Sequence, residues 1–157
     1  MIIWLTGQPG SGKTVLAGWL QSITELNSRV MIIDGDDIRE IFNNKDYSEQ
    51  GRRKNVEFVQ NMALFLHNKN VDVIVSLVSP YKDQREEFKE NMQDKLVELY
   101  IHCEDERGRE KFHVSNYEPP VDNFIDVNTT NDDEYTSFQK IREKINLKRI
   151  IFINHTK

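Results

Sequence analysis

The octapeptide from Gly7 to Thr14, GQPGSGKT, follows a short apolar run, Ile2-Ile3-Trp4-Leu5-Thr6, and precedes residues 15–26, whose apolar members recur at helical spacing. Strand, loop and helix with G-x-x-x-x-G-K-[ST] at the joint is the context that a phosphate-binding P-loop requires. Gly7, Gly10 and Gly12 let backbone N–H groups turn inward at the positive end of a helix, and Gln8, Pro9 and Ser11 complete the cradle. Lys13 is placed to reach the β- and γ-phosphates of a nucleoside triphosphate, and the Thr14 hydroxyl to ligate Mg²⁺. The four fixed positions match by chance in roughly one chain in a few hundred of this length, so ATP and Mg²⁺ are the expected ligands.

Working outward, 157 residues suit one domain with one core. The formal charge of −5 disfavours nucleic acid and anionic membranes as main partners. The single cysteine, Cys103, has no internal disulfide partner, and its apolar neighbours suggest a buried strand position. The apolar runs are too short to span a bilayer, and Met1 opens directly onto the first strand, so a cytoplasmic protein without a signal peptide is expected. A homodimer is compatible with the chain.

Apolar patterning predicts strands at 29–34, 71–78 and 95–103, a short extended piece at 124–127, and a last strand at 149–153. Helices are expected from 15 to about 27, over 38–44, from 52 to about 69, over 83–91, and from 132 onward. The run from Val71 to Val78 is apolar enough to be buried on both faces. Strands alternating with helices imply an α/β fold: a five-stranded, mostly parallel, doubly wound sheet of the P-loop type. Its crevice lies beyond the carboxyl ends of the strands, where Gly7–Thr14, Asp34–Asp36, Ser76–Pro80 and the segment after Cys103 all fall.

Asp34 and Asp36 end the second strand, while the third ends at Ser76 without an acidic residue. The pair is therefore the best-placed candidate for holding Mg²⁺, directly or through water, and one member could accept a proton from an acceptor hydroxyl. A helix N-cap before Ile38 is the alternative role.

Together with the P-loop, DGDDIR at 34–39, YSEQGRRKN at 47–55, VSPYKDQR at 78–85 and YEPP at 117–120 make the chain resemble the adenylylsulfate kinase family over almost its whole length. The resemblance implies transfer of the ATP γ-phosphoryl group to the 3′-hydroxyl of adenylyl sulfate, a small nucleotide substrate, in sulfate assimilation. It implies that Arg39, Arg52 and Asn55 contact the phosphosulfate and ribose side, with Tyr47 where the family stacks a Phe on the substrate adenine. Asp36, Pro80 and Phe112 belong to the same acceptor side. Ser79 matches the serine assigned in the family as a phosphoserine intermediate; direct in-line transfer would need only positioning and charge neutralisation, and Ser79 can instead end the strand.

The family carries a long lid with a K-G-L-Y-x-x-A-R-type segment and a Phe-Thr-Gly step. Here only residues 104–116 remain, with Phe112-His113-Val114 in place of Phe-Thr-Gly. Lys82 replaces a common Arg, and Glu57 stands in a region that tends to be basic. Arg107, Arg109 and Lys111 could supply the missing cations, although such a mixed-charge run commonly forms a solvated loop; of the four histidines, His113 is the candidate for touching substrate. Because lids exclude water and complete catalytic sets, two alternatives stand beside the adenylyl sulfate reading. One is a P-loop kinase of another nucleotide, a polynucleotide 5′-hydroxyl or a small metabolite; the other is a nucleotide-binding module with little turnover.

Overall fold

The computed structural model describes residues 1–22 and 29–155, with side chains described no further than residue 145. Ile2–Thr6 (β1), Val30–Asp34 (β2), Asp72–Ser76 (β3), Leu96–His102 (β4) and Phe124–Asn128 (β5) pair in parallel in the order β2-β3-β1-β4-β5. Lys13–Leu20 (α1), Gly35–Ile41 (α2), Glu49–His67 (α3), Lys82–Met92 (α4) and Glu134–His155 (α5) cover the two faces. Strand residues alternate between those faces with period two. Ile3, Leu5, Ile74, Leu99 and Ile101 pack with Leu16 and Leu20 of α1 and with Phe138, Ile141 and Ile145 of α5. Ile2, Trp4, Val73 and Val75 pack with Val56, Val59 and Ala63 of α3 and Met92 of α4. β3 lies between β2 and β1 and is buried along its whole length, which explains its apolar centre, Val73-Ile74-Val75.

Two expectations are corrected. Arg149–Ile153, expected as the last strand, lies within α5. The fifth strand is instead Phe124–Asn128, which pairs with β4 from Glu98↔Phe124 to His102↔Asn128. Its alternating pattern buries Ile125 and Val127 while Asp126 and Asn128 face solvent. A short apolar run with no clear period, such as 149–153, does not distinguish strand from helix. Cys103, expected in the strand core, lies just beyond β4 and is half-buried, its thiol 3.7 Å from Asp105 Oδ2. The expected end of the first helix near Asn27 falls outside the described residues.

Helix starts also shift towards the amino terminus. Asp34 Oδ1 accepts from the Asp36 N–H at 2.9 Å, so α2 begins at Gly35. Ser48 Oγ accepts from the Gly51 N–H at 3.1 Å and starts α3 inside the stretch expected as loop.

Parallel register sets strand ends level: Ser76 is opposite both Leu5 and Asp34. The loop after β1 then turns back over the sheet so closely that a Cβ on Gly7 would lie 2.0 Å from the Ile101 carbonyl oxygen, at a φ of +149°. Gly7→Ala is therefore expected to cost about 3 kcal/mol through combined strain and overlap with backbone. Urea unfolding monitored by far-UV circular dichroism would measure the loss.

Candidate active site

The P-loop leads into α1, whose first residues follow Gly12 at φ +97°, a residue with no side chain to cap the helix. No side-chain cap therefore competes for the N–H groups of the first turn, as an anion site requires. Lys13 folds back over the loop: its ammonium donates to the Gln8 carbonyl at 2.8 Å and lies 3.5 Å from Ser11 Oγ. Burial lowers its pKa to about 8 against the opposing pull of Asp34 and Asp36, with Arg109 adding to the lowering. A bound phosphate would reverse that shift by pairing with the charged form.

Thr14 Oγ1 donates to Asp34 Oδ2 at 2.8 Å and lies 3.4 Å from Ser76 Oγ. Asp34 thus fulfils the capping role with one oxygen and faces Thr14 with the other. Asp36 is exposed beside it, 4.0 Å from the Arg109 guanidinium. Among the described residues no group of three or more His, Cys, Asp and Glu side chains forms a metal cage. Mg²⁺ carried on a nucleotide needs none, because phosphates and waters supply most of its ligands. The hydroxyl and carboxylate oxygens of Thr14 and Asp34 fit such a hard cation.

Across the crevice, α2 and α3 frame a second wall. Arg39 and Arg52 place their guanidinium carbons 4.4 and 5.5 Å from the Tyr47 ring centroid. Backbone carbonyls hold both arginines: Asp46 O accepts from Arg39 Nη1 at 2.9 Å, and Tyr47 O accepts from Arg52 Nε at 2.9 Å. Asn55 is buried one turn further along α3. Pro9, Gly10, Gly12, Lys13, Thr14, Asp34, Asp36, Arg39, Tyr47, Arg52, Asn55, Ser79, Pro80 and Phe112 all line one cleft of about 1100 Å³. Gly7, Gln8 and Ser11 do not line it; Gln8 and Ser11 bond instead to Val114 and Thr129.

Ser79 differs from its expected surroundings. It is 1 % exposed, adopts φ +42°, and its hydroxyl accepts from Trp4 Nε1 at 3.0 Å. Its carbonyl accepts from Arg85 Nη1, whose Nη2 donates to the Glu118 carbonyl. Glu118 N–H donates to Pro80 O at 2.9 Å, and its carboxylate accepts from the Lys82 N–H at 2.6 Å. The Tyr117 hydroxyl is 2.9 Å from Thr6 Oγ1, and burial pushes the Tyr117 pKa well up. The YEPP and SPY motifs therefore clasp one another at the base of the cleft.

Sequence reasoning undervalued the strap formed by residues 104–116. The Gln8 side-chain amide donates to Val114 O and accepts from Val114 N–H, both at 2.9 Å, and His113 Nε2 lies 3.1 Å from Pro9 O. Arg107 donates to Thr129 O at 2.9 Å, and Thr129 Oγ1 donates to Ser11 O at 3.1 Å. Thr129 follows β5, so recognising 124–128 as a strand would have brought it under the strand-end rule.

A model of the adenylylsulphate kinase family matches residues 1–146. The chain belongs to that family. It is 38 % identical over 104 residues to a probable adenylyl-sulfate kinase of Archaeoglobus fulgidus, a match covering 65 % of this chain and 66 % of the relative. The chain spans 54–66 % of the length of three such relatives, from A. fulgidus, Pyrococcus abyssi and Bacillus subtilis. It is 30 % identical over 131 residues to a cytidine diphosphoramidate kinase of Campylobacter jejuni, covering 80 % of this chain and 76 % of that protein. The adenylylsulfate kinase of Mycobacterium tuberculosis, solved with AMPPNP and APS, shares the fold with a TM-score of 0.69 at 21 % identity, over 93 % of this chain and 95 % of that one. Among the described residues no helix is long and apolar enough to cross a membrane.

Proposed function

We propose that the protein is a P-loop kinase that transfers the γ-phosphoryl group of ATP to the 3′-hydroxyl of adenylyl sulfate. The observation that carries this reading is the meeting, across one cleft, of a phosphate cradle built on Lys13 and Thr14 with a second wall of Arg39, Tyr47 and Arg52. Two arginines beside an aromatic ring suit a nucleotide with an anionic tail: the ring offers a stacking face and the forked guanidinium groups pair with oxyanions. Thr14 and Asp34 would hold Mg²⁺ on the donor phosphates, where it neutralises charge. Asp36 would orient the acceptor hydroxyl and take up its proton.

Ser79 serves in this account as a fixed support of the acceptor wall rather than as a phosphate carrier, because its hydroxyl is buried against Trp4. Protein incubated with γ-labelled ATP and no acceptor is expected to retain no label after denaturing gel filtration.

A second acceptor stands beside the first because one relative acts under another name. The cytidine diphosphoramidate kinase matches 80 % of the chain at 30 % identity, while an adenylyl-sulfate kinase of Staphylococcus haemolyticus matches 96 % at 27 %. A coupled ADP-release assay with Mg·ATP and a panel including adenylyl sulfate and cytidine diphosphoramidate separates the readings. Stimulation by adenylyl sulfate supports the first, and stimulation by another nucleotide alone replaces it with the second. No stimulation by any acceptor would leave a nucleotide-binding module.

A further inference from the structure

We propose that Arg109 is a catalytic residue of the phosphoryl transfer, a guanidinium held over the transferring group by a strap already pinned to the P-loop. The inference rests on the kinase reading and concerns a residue outside its motifs. Arg109 stands between the two walls of the cleft. A Cβ on Gly10 would lie 3.0 Å from Arg109 Cβ, so the Arg109 side chain leaves the strap tightly against the P-loop. At its far end the guanidinium is 4.0 Å from Asp36 Oδ2, and its carbon is 5.4 Å from the Phe112 ring centroid. Its charge also reaches Lys13. With its Cβ beside Gly10 and its guanidinium 4.0 Å from Asp36, the side chain spans from the P-loop to the candidate base, across the place where the γ-phosphorus must move.

Of the neighbouring cations, Lys111 shares both the cleft and the Phe112 ring with Arg109, and Arg109 in addition pairs with Asp36. Arg107 is tied to Thr129 O at 2.9 Å, and the Lys111 ammonium lies over the Phe112 ring at 5.0 Å. Arg109 has looser partners and more than half of its side chain exposed to the cleft and solvent. The strap that carries it is fixed by the reciprocal Gln8–Val114 amide bonds and the His113–Pro9 contact. A fixed strap dispenses with the closing movement of a long lid, so the cation stands ready before substrate arrives.

In the step itself the acceptor oxygen forms a bond to the γ-phosphorus as the bond from that phosphorus to the β,γ-bridging oxygen breaks. ADP leaves with the bonding electron pair, and the hydroxyl proton passes to the Asp36 carboxylate. Arg109 donates to the equatorial oxygens of the phosphoryl group, where charge is spread during transfer; stabilisation of this kind acts on the transition state more than on bound nucleotide.

Titration of the wild type and R109A with Mg·ADP alone, and with Mg·ADP plus aluminium fluoride as a planar phosphoryl mimic, tests the proposal. Fluoride is expected to tighten ADP binding by the wild type. R109A should lose at least about tenfold of that gain, bind ADP alone within about twofold of the wild type, and show kcat lowered roughly 20- to 100-fold. R109K should recover part of both losses. Full retention of the fluoride gain and of kcat by R109A would overturn the role of Arg109 while leaving the kinase reading intact. Failure of the wild type to bind ADP at all would overturn both.

Discussion

Replacing Lys13 by alanine is expected to lower kcat by at least about a hundredfold while leaving the protein folded. The ammonium is buried within the P-loop and braced by the Gln8 carbonyl, so its charge is delivered at a fixed position in a site of low dielectric. Such a charge contributes most where negative charge develops, and one preorganised donor is commonly worth two to three orders of magnitude. Burial already opposes the charged form, as the lowered pKa shows. Removing the group therefore relieves a desolvation cost in the free protein, and thermal stability should be unchanged or slightly higher. Initial rates of ADP release and a melting curve on the same sample check both halves. Near-normal turnover in Lys13→Ala would remove the P-loop from the catalytic account.

A second large effect is expected outside the P-loop. Glu98 on β4 is 1 % exposed, yet it pairs with Arg85 Nε at 3.0 Å and with Lys89 Nζ at 2.8 Å. Lys89 also reaches Glu86 at 2.9 Å and the Asp122 carbonyl at 2.8 Å. Arg85 spends its two terminal nitrogens on the carbonyls of Ser79 and Glu118, so one buried carboxylate anchors the clasp between the SPY and YEPP motifs. Glu98→Ala leaves two buried cations without their common partner, which should cost about 3–5 kcal/mol. Urea unfolding measures that loss. A variant that also converts Arg85 and Lys89 to apolar residues should regain much of the stability, but the clasp around Ser79 would be lost and with it the acceptor-stimulated rate. Recovery of both stability and rate would show that the network has no part in shaping the site.

The donor side was legible in the sequence because its geometry is local. Eight consecutive residues specify the turn, the helix start and the cation, and the strand-end rule placed Asp34, Asp36 and Ser79 around them before any coordinates. Arg39, Tyr47, Arg52 and Asn55 were singled out through the family resemblance, and the structure brings them to the same cleft as the P-loop. Three things were hidden for physical reasons. Lys89 and Glu98 look like ordinary surface charges in sequence, and Arg85 shows only as the end of VSPYKDQR, since their mutual burial depends on ion pairs between α4 and β4. The strap looked like a solvated loop, because Gln8 and Val114 are separated by more than a hundred residues and nothing local announces their bond. The last strand was misplaced because the alternation in 124–128 is short and residues 149–153 carry more apolar side chains.

The central claim is that two nucleotides meet in this cleft and that the phosphoryl group passes from one to the other. Phosphorus NMR of wild-type protein incubated with Mg·ATP and adenylyl sulfate tests it most directly. The account predicts a new phosphomonoester resonance from the 3′-position of the acceptor, growing in step with ADP. ADP accompanied by inorganic phosphate alone, with adenylyl sulfate unchanged, would contradict it.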